Sequence, residues 1–167
     1  MKRLFPLWVL LVCAVFTSGC GYELVKEKGI YGGDITSINI PVFKNNSFEQ
    51  LVSTLFTQAF SMELAGSGLF QINKPDADAT LQGTVTLIAT APGPIGATGQ
   101  AVQKVVSATV TITLRKQDKL LKTWAYGDSE VYDASTIDIE DPDRRAALQR
   151  IATRIARRFH AQVLSVY

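Results

Sequence analysis

The stretch Asp78-Ala79-Thr80-Leu81-Gln82-Gly83-Thr84-Val85-Thr86-Leu87-Ile88-Ala89-Thr90 decides the fold, because its side chains alternate in character along its whole length. A period of two residues is typical of a β-strand with one buried face. We expect one face to carry Ala79, Leu81, Gly83, Val85, Leu87 and Ala89. The other face then carries Thr80, Gln82, Thr84, Thr86, Ile88 and Thr90. Residues 91–100, rich in glycine and proline, are expected to form a loop.

Two further strands follow this loop. The first runs from about Ala101 to Arg115 and the second from about Leu120 to Tyr132, with a hairpin turn at 116–119. On the first, one face is expected to carry Val102, Val106, Ala108, Val110, Ile112 and Leu114. The buried side of the second cannot be assigned, because Trp124 and Tyr126 share a face with Lys122 and Asp128.

Two helices flank the three strands. Ser47 and Gln50 have the spacing of a capping box, which predicts a helix that ends near Gly66 and Gly68. Its expected apolar stripe is Phe48, Leu51, Val52, Leu55, Ala59 and Met62. Asp141-Pro142 is typical of the start of a second helix. The expected stripe of that helix is Leu148, Ile151, Ala152, Ile155 and Phe159.

A short strand upstream, around Ile35 to Val42, completes the element order β-α-β-β-β-α. Residues 69–72 are expected to add a short extended piece. The simplest packing is an α+β two-layer sandwich, in which two helices cover one face of a four-stranded, mostly antiparallel sheet. The 148 residues that follow Gly19 suit a single domain, expected at 35–167.

The uncovered face of this sheet is rich in Thr, Gln and Ser and poor in Lys and Glu. Exposed sheets often carry threonine, so this face could be solvated. A freely exposed face usually holds more charge, so it could instead lie against another protein. The pattern alone leaves both interpretations open.

Residues 1–19 resemble a bacterial lipoprotein signal peptide. Lys2 and Arg3 precede an apolar run from Leu4 to Phe16, which is shorter than the roughly 20 residues of a membrane-spanning helix. Small residues then lead to Cys20, which we expect to be lipidated, with residues 20–34 as the lipidated N-terminus and tether. The alternative is an ordinary signal peptide followed by an incidental cysteine.

The composition excludes several classes of function. Lys and Arg number 17 against 15 acidic residues, and loss of Lys2 and Arg3 with the signal peptide leaves 15 against 15. A balanced chain has no basic field for nucleic acid. Lipidation of Cys20 leaves no free thiol, and His160 is the only histidine. We expect no cofactor, no metal site and no enzymatic activity.

Two clusters of charge lie close together near the C-terminus. Acidic residues crowd 128–143, where a carboxylate dyad for a hydrolase is conceivable. Exposed loop and helix-start positions are the simpler account. Six arginines follow: Arg144, Arg145, Arg150, Arg154, Arg157 and Arg158. They form either a solvated helix face or an anion-binding surface.

Four motifs together resemble the LPS-assembly lipoprotein family LptE. They are Gly19-Cys20-Gly21-Tyr22, Ile38-Asn39-Ile40-Pro41-Val42-Phe43-Lys44-Asn45, Gly68-Leu69-Phe70 and Ala77-Asp78-Ala79-Thr80-Leu81-Gln82-Gly83. The expected element order agrees over nearly the whole mature chain. The resemblance implies an outer-membrane lipoprotein that sits inside the β-barrel LptD, helps it assemble, and takes part in lipopolysaccharide transport to the outer leaflet.

The resemblance also implies two candidate surfaces. The polar lumen of a barrel would accept the uncovered sheet face. The expected contact residues are Thr84, Thr86, Thr109, Thr111 and Thr113. Lipopolysaccharide carries phosphates, so its binder should offer cations, for which the candidates are Lys104, Arg115, Lys116, Lys119 and Lys122.

The principal alternative is a periplasmic lipoprotein that activates a cell-wall synthase. Such activators also pair a similar strand with an Asn-rich turn and a helix. Three consecutive antiparallel strands before one terminal helix would favour LptE, and further strand–helix alternation would favour the activator.

Overall fold

The computed structural model describes residues 30, 34–93, 103–135 and 137–164, with the side chains of 141–163 in the last segment. The expected signal peptide, Cys20, most of the expected tether and residues 94–102 lie outside this range. The elements in chain order are β1 (Ser37–Asn39), β2 (Lys44–Asn45), α1 (Val52–Gly66), β3 (Gln71–Ile72), β4 (Ala79–Pro92), β5 (Gln103–Lys116), β6 (Lys119–Asp133) and α2 (Ile137–Leu164).

The sheet is mixed and has six strands in the described part of the chain. Its order is β3-β1-β4-β5-β6, and β2 pairs with β4 beyond β1. The long strands β4, β5 and β6 are antiparallel. The short strands β1, β2 and β3 pair in parallel. The α+β class is confirmed, but the expected four-stranded sheet is wrong in detail, because strands of two or three residues are too short to show a period.

Three consecutive antiparallel strands followed by one terminal helix are the order expected for LptE rather than for the activator. Both helices pack on one face of the sheet. On β5 the expected alternation is confirmed within the described residues: Val106, Ala108, Val110, Ile112 and Leu114 are all buried. We call this covered side the inner face.

Helix α1 differs from its prediction in phase and in start. The buried residues are Val52, Phe56, Phe60 and Leu64. Of the expected stripe, Leu55 and Ala59 are partly buried against the core, whereas Phe48, Leu51 and Met62 are exposed. The predicted capping box is also wrong: Leu51, with φ 64°, occupies the N-cap position, and no side chain caps the helix.

Strand β4 changes face at a β-bulge between Val85 and Leu87. Ala79, Leu81 and Val85 are buried as expected. Beyond the bulge the phase shifts by one residue, so Leu87 and Ala89 lie on the outer face and Ile88 packs against the core. The expected faces of Leu87, Ile88, Ala89 and Thr90 were therefore wrong, since a bulge reverses every later side chain and Thr90 pairs with the inner-face residue Val106.

Helix α2 begins at Ile137, earlier than the expected Asp141-Pro142 start, and Pro142 lies within it. Its expected stripe is confirmed, since Leu148, Ile151, Ala152, Ile155 and Phe159 are all buried. On the upstream strand, Ile35, Ile38 and Ile40 are buried, but Val42 is 70 % exposed.

Two of the quoted motifs interlock in the core. Phe43 lies over Gly83, where a Cβ atom would come within 2.1 Å of the Phe43 ring. Asp78 is hydrogen-bonded to the start of β1: its Oδ2 accepts hydrogen bonds from the backbone N–H and hydroxyl groups of Thr36 and Ser37 at 2.8–3.0 Å. These donors, with the backbone N–H of Thr36 as the largest contribution, lower the pKa of Asp78 to about 2.

Candidate interaction surface

The outer face of the three long strands is uncharged between Arg115 at its hairpin end and Asp133 at its opposite end. Antiparallel Cα partners share a face, so the register and the alternation of burial define its members. They are Thr80, Gln82, Thr84, Leu87, Ala89 and Ala91 on β4, Val105, Ser107, Thr109, Thr111 and Thr113 on β5, and Thr123, Ala125, Gly127, Ser129 and Val131 on β6. None of these side chains carries a formal charge. We call this set the outer sheet face.

No described element covers the outer sheet face. Leu87 is 55 % exposed and Val131 is 43 % exposed, although both are large and apolar. The threonines sit in cross-strand rows, such as Thr84 beside Thr111 and Thr113 beside Thr123. At a rise of about 3.3 Å per residue, the face is roughly 30 Å long. It is neutral and rich in hydroxyl groups.

Four of the five expected contact threonines lie on this face, and the fifth lies at the bulge. Thr84, Thr109, Thr111 and Thr113 are half-buried between neighbouring strands. Thr86 is exposed at the irregularity, and its hydroxyl donates to the carbonyl oxygen of Thr109 at 3.1 Å. The sequence pattern did not indicate the apolar residues Leu87 and Val131, because neither the bulge nor the buried side of β6 was known.

The expected cations do not form one cluster. Arg115, Lys116, Lys119 and Lys122 lie at the β5–β6 hairpin. Lys104 lies eleven residues away along β5, which at about 3.3 Å per residue is roughly 36 Å. The structure thus places four of the five candidates at the hairpin end of the sheet and separates Lys104 from them, with Lys122 on the inner face and Arg115 on the outer face.

Within the hairpin cluster, three cations already have contacts in the protein. Arg115 Nη2 donates to the carbonyl oxygen of Asp118 at 2.7 Å, and Lys116 Nζ donates to that of Asp34 at 3.1 Å. Lys122 Nζ lies 5.4 Å from the centroid of the Trp124 ring. The contact with Asp34 places the hairpin beside the segment through which the chain enters the fold.

The two opposite charge clusters near the C-terminus neutralise each other. Arg154 Nε lies 2.7 Å from Asp128 Oδ2, and its Nη1 lies 2.6 Å from Glu130 Oε2. Arg150 Nε also donates to Glu130 at 2.8 Å, and Arg158 Nη2 lies 3.2 Å from Asp128. The carboxylates occupy the inner face of β6, which sequence reasoning could not assign. Asp128 and Glu130 thus lie on a strand rather than in an exposed loop, and the three arginines are ion-paired while their side chains stay 40–51 % exposed.

These contacts also bear on the hydrolase interpretation. Partial burial is the largest single influence on the pKa of Asp128 and raises it, but the hydrogen bonds from Arg154 and Ser129 and the charges of Arg154 and Arg158 together outweigh it, so the net pKa is lowered. The same arginine lowers the pKa of Glu130. A glycosidase acid needs a raised pKa to hold its proton. Both carboxylates instead stay ionised and bind α2 to the sheet.

Sequence reasoning missed two further features. His160 Nδ1 lies 2.9 Å from Glu63 Oε1 and so joins α2 to α1, while its Nε2 is buried without a hydrogen-bond partner. A cleft of about 320 Å³ lies between the starts of the two helices. Phe48 and Leu51 line it, and an ion pair between Arg144 and Glu49 lies at its edge.

Over residues 30, 34–93, 103–135 and 137–164, no group of three His, Cys, Asp or Glu side chains is placed to hold a metal ion. Within the same ranges, neither helix combines the length and the apolar character needed to cross a membrane.

Comparison with solved structures identifies the fold. A protein from Caulobacter crescentus CB15 is 13 % identical, with a TM-score of 0.53 over 74 % of this chain and 89 % of that one. A minor lipoprotein from Acinetobacter baumannii is 9 % identical, with a TM-score of 0.53 over 77 % and 90 %. The rare lipoprotein B from Shewanella oneidensis is 13 % identical, with a TM-score of 0.49 over 74 % and 94 %. No curated protein matches.

The comparison with family models is more specific. The model described as "LptE: Lipopolysaccharide-assembly" matches residues 35–163, which is most of the chain and spans every described strand and helix except Leu164, the last residue of α2. LptE proteins are non-enzymatic lipoproteins associated with the outer membrane, and the family partners with LptD and binds lipopolysaccharide. This chain belongs to the LptE lipopolysaccharide-assembly family.

Proposed function

We propose that this protein is the lipoprotein partner of an LptD-type barrel, that it plugs the barrel lumen, and that it helps the barrel to assemble and to deliver lipopolysaccharide. Cys20 carries the lipid that holds the chain at the outer membrane. Residues 1–19 are removed, residues 20–34 form the tether, and residues 35–167 form the plug domain.

The observation that carries this proposal is the neutral outer sheet face. Every described carboxylate on the inner face of β6 has an arginine partner, whereas the outer sheet face carries no charge and no described helix packs on it; Lys44, Arg115 and Asp133 lie at its margins. A barrel lumen of this class is polar. Hydroxyl groups on such a sheet can exchange hydrogen bonds with this wall without the cost of desolvating charge.

The test of this contact is a charge placed at the centre of the face. Thr111 pairs with Thr84 on one side and Ala125 on the other, so Thr111→Lys introduces an unpaired cation there. Thr54→Lys, at an exposed position of α1, is the matched control. We expect a C-terminally tagged Thr54→Lys protein to retain a barrel in near-equal amount from outer membranes, and the Thr111→Lys protein to lose it.

Equal recovery of the barrel with both variants would refute the contact through the outer sheet face. Absence of any stoichiometric barrel with the unmodified protein would refute the plug function itself. Both variants should unfold at the same denaturant concentration as the parent, since both positions lie outside the core.

The hairpin cations are the proposed lipopolysaccharide contact. Arg115, Lys116 and Lys119 are adjacent at the β5–β6 turn and can meet a phosphate group. Reversing all three to Glu should weaken binding of purified lipopolysaccharide. The control reverses the exposed Lys44, Lys74 and Arg145, which makes the same change in net charge elsewhere. Unchanged binding by the hairpin variant would end this hypothesis.

A further inference from the structure

Besides the outer sides of the short strands β2 and β3, the sheet has two free edges among the described residues, and these two differ in how they are protected. One is the outer side of β6, which is the last strand in the order β3-β1-β4-β5-β6. The other is the far end of β4 beyond the bulge. A free edge exposes backbone N–H and C=O groups to any other strand, and proteins commonly block it.

The β6 edge is blocked by arginines from α2. Arg158 Nη2 donates to the carbonyl oxygen of Gly127 at 3.2 Å, and Arg154 Nη2 donates to that of Ser129 at 3.0 Å. The same side chains pair with Asp128, so they are held across the strand by charge as well. An incoming strand would have to displace both guanidinium groups.

Two short strands of the same chain, β1 and β2, pair one after the other with the first part of the β4 edge. β1 pairs with it at Ala79 and Thr80, and β2 pairs with it at Thr84 and Val85. The last such contact is the hydrogen bond from Asn46 N to the carbonyl oxygen of Val85 at 2.9 Å. From Thr86 to Pro92, no described strand pairs with this side of β4.

The register shows which backbone groups are left open. In an antiparallel pair, both backbone groups of a residue point to the same neighbour, and successive residues alternate. Gly127 points to the open edge of β6, so its partner Thr109 points to β4, where it meets Leu87. Leu87 is therefore bonded to β5, and the N–H and C=O of Ile88 and Thr90 point outward.

The open stretch of β4 contains two residues, Ile88 and Thr90, whose outward backbone groups lack the features that usually protect a free sheet edge. The bulge ends it on one side, and Pro92, which has no N–H group, ends it on the other. Between them no residue is charged, and Thr90 and its neighbours Ala89 and Ala91 are exposed. A pair of N–H and a pair of C=O groups in extended geometry are complementary to one kind of ligand, another extended strand.

We propose that the β4 edge at Ile88–Thr90 accepts an extended strand of a partner polypeptide, in continuation of the pairing made by β1 and β2. The strand need be no longer than β2 or β3, each of which has two residues. The contact lies beside the outer sheet face, so one partner could meet both. This inference rests on the proposed function only because its test uses the barrel as the partner.

The test is amide hydrogen exchange at single-residue resolution. The lipoprotein is measured in the complex extracted from outer membranes and again when produced without the barrel. We expect the amides of Ile88 and Thr90 to exchange at least about tenfold more slowly in the complex, as bonded edge amides do. The amides of Leu87 and Ala89 already bond to β5 and serve as internal references.

A variant provides the second measurement. Thr90→Pro removes the outward N–H of an exposed residue and leaves the bonds to β5 in place, whereas Thr90→Ala keeps that N–H. We expect recovery of the barrel to fall about fivefold for Thr90→Pro relative to Thr90→Ala, the effect of one hydrogen bond of about 1 kcal/mol.

The outcomes separate this inference from the proposed function. Fast exchange at Ile88 and Thr90 in a complex that contains the barrel would overturn the strand contact and leave the plug function standing. Slow exchange in an extract without a barrel would support the strand contact with another protein and refute the plug function. Protection that rises with concentration of the purified lipoprotein would identify a second copy and overturn the proposal.

Discussion

A single added methyl group at Gly83 should destabilise the domain measurably. The Cβ of Gly83→Ala would lie 2.1 Å from the Phe43 ring, against about 3.5–4.0 Å for ordinary carbon contacts, so the ring would have to retreat by roughly 1.5 Å. Phe43 cannot easily do so. Its N–H donates to the Thr57 hydroxyl at 2.9 Å, and its ring packs on Phe60 at a centroid distance of 5.1 Å.

The magnitude follows from opposing terms. Overpacking of this kind costs typically about 1–3 kcal/mol, and the depth of this clash favours the upper end. The Gly-to-Ala change recovers about 0.4–1 kcal/mol by restricting the unfolded chain. We expect a net loss of about 2 kcal/mol in the free energy of unfolding, or roughly 8 °C in melting temperature for a domain of this size.

The assay is urea unfolding of the mature chain carrying Cys20→Ser, followed by circular dichroism. Gly66→Ala is the matched control, because it makes the same change at the end of α1 with nothing within 4 Å of the added Cβ. That variant should gain about 0.5–1 kcal/mol. Combining Gly83→Ala with Phe43→Leu should cost less than the sum of the single changes, since the smaller side chain relieves the clash. If the Gly83→Ala and Gly66→Ala proteins unfolded within about 0.5 kcal/mol of each other, the packing argument would be wrong.

Three further predictions concern polar contacts and backbone conformation. Arg154→Ala should lower the free energy of unfolding by about 1–3 kcal/mol. Because the pKa values of Asp128 and Glu130 are lowered in the folded state, urea titrations should show the full difference from the parent at pH 7 and a smaller difference as the pH falls below about 4. Asp78→Ala should cost about 2 kcal/mol, because it leaves the Thr36 and Ser37 donors unpaired, and Asp78→Asn should cost less; a thermal melt of each will rank them. Gln117→Gly should raise the free energy of unfolding by up to about 1 kcal/mol, since Gln117 has a φ of 52° in the β5–β6 turn; a loss would show that its side chain stabilises the turn.

The long elements could be predicted from sequence because each is long enough to repeat its period. β5 keeps one alternation through its described residues, and α2 keeps one stripe from Leu148 to Phe159. The short strands β2 and β3 have two residues each and carry no period at all. They exist because the β4 edge accepts them, which is a tertiary effect.

The stripe of α1 was misassigned because two apolar stripes overlap on that helix. Leu51, Leu55 and Ala59 recur at the same spacing as Val52, Phe56 and Phe60, only one residue out of phase. Periodicity cannot choose between them. Phe56 and Phe60 bury far larger rings than their neighbours, and packing of Phe60 against Phe43 and Phe159 fixes the phase.

The candidate surface was predictable in composition but not in extent. The threonines of β5 follow directly from alternation, whereas Leu87 reaches the outer sheet face only through a bulge. The inner side of β6 was unassignable because Asp128 and Glu130 are inward-facing charges. Their partner Arg154 lies more than twenty residues away. The opposite charges of the acidic and arginine clusters were the signal available in the sequence, and pairing the two clusters would have assigned the inner side of β6.

The distribution of charge has a consequence for how the two proposed surfaces behave in salt. Arg150, Arg154 and Arg158 of α2 are paired with Asp128, Glu130 and the β6 edge, so the outer sheet face and the β4 edge meet a partner without any ionic contribution from them. Interactions of that kind depend little on ionic strength, whereas contacts between exposed cations and phosphate weaken as the Debye length falls from about 10 Å at 0.1 M salt to about 3 Å at 1 M. Raising the salt should therefore release lipopolysaccharide from the hairpin cations while the barrel remains bound. Parallel loss of both would mean that the barrel, too, is held by charge, and would move the contact away from the outer sheet face.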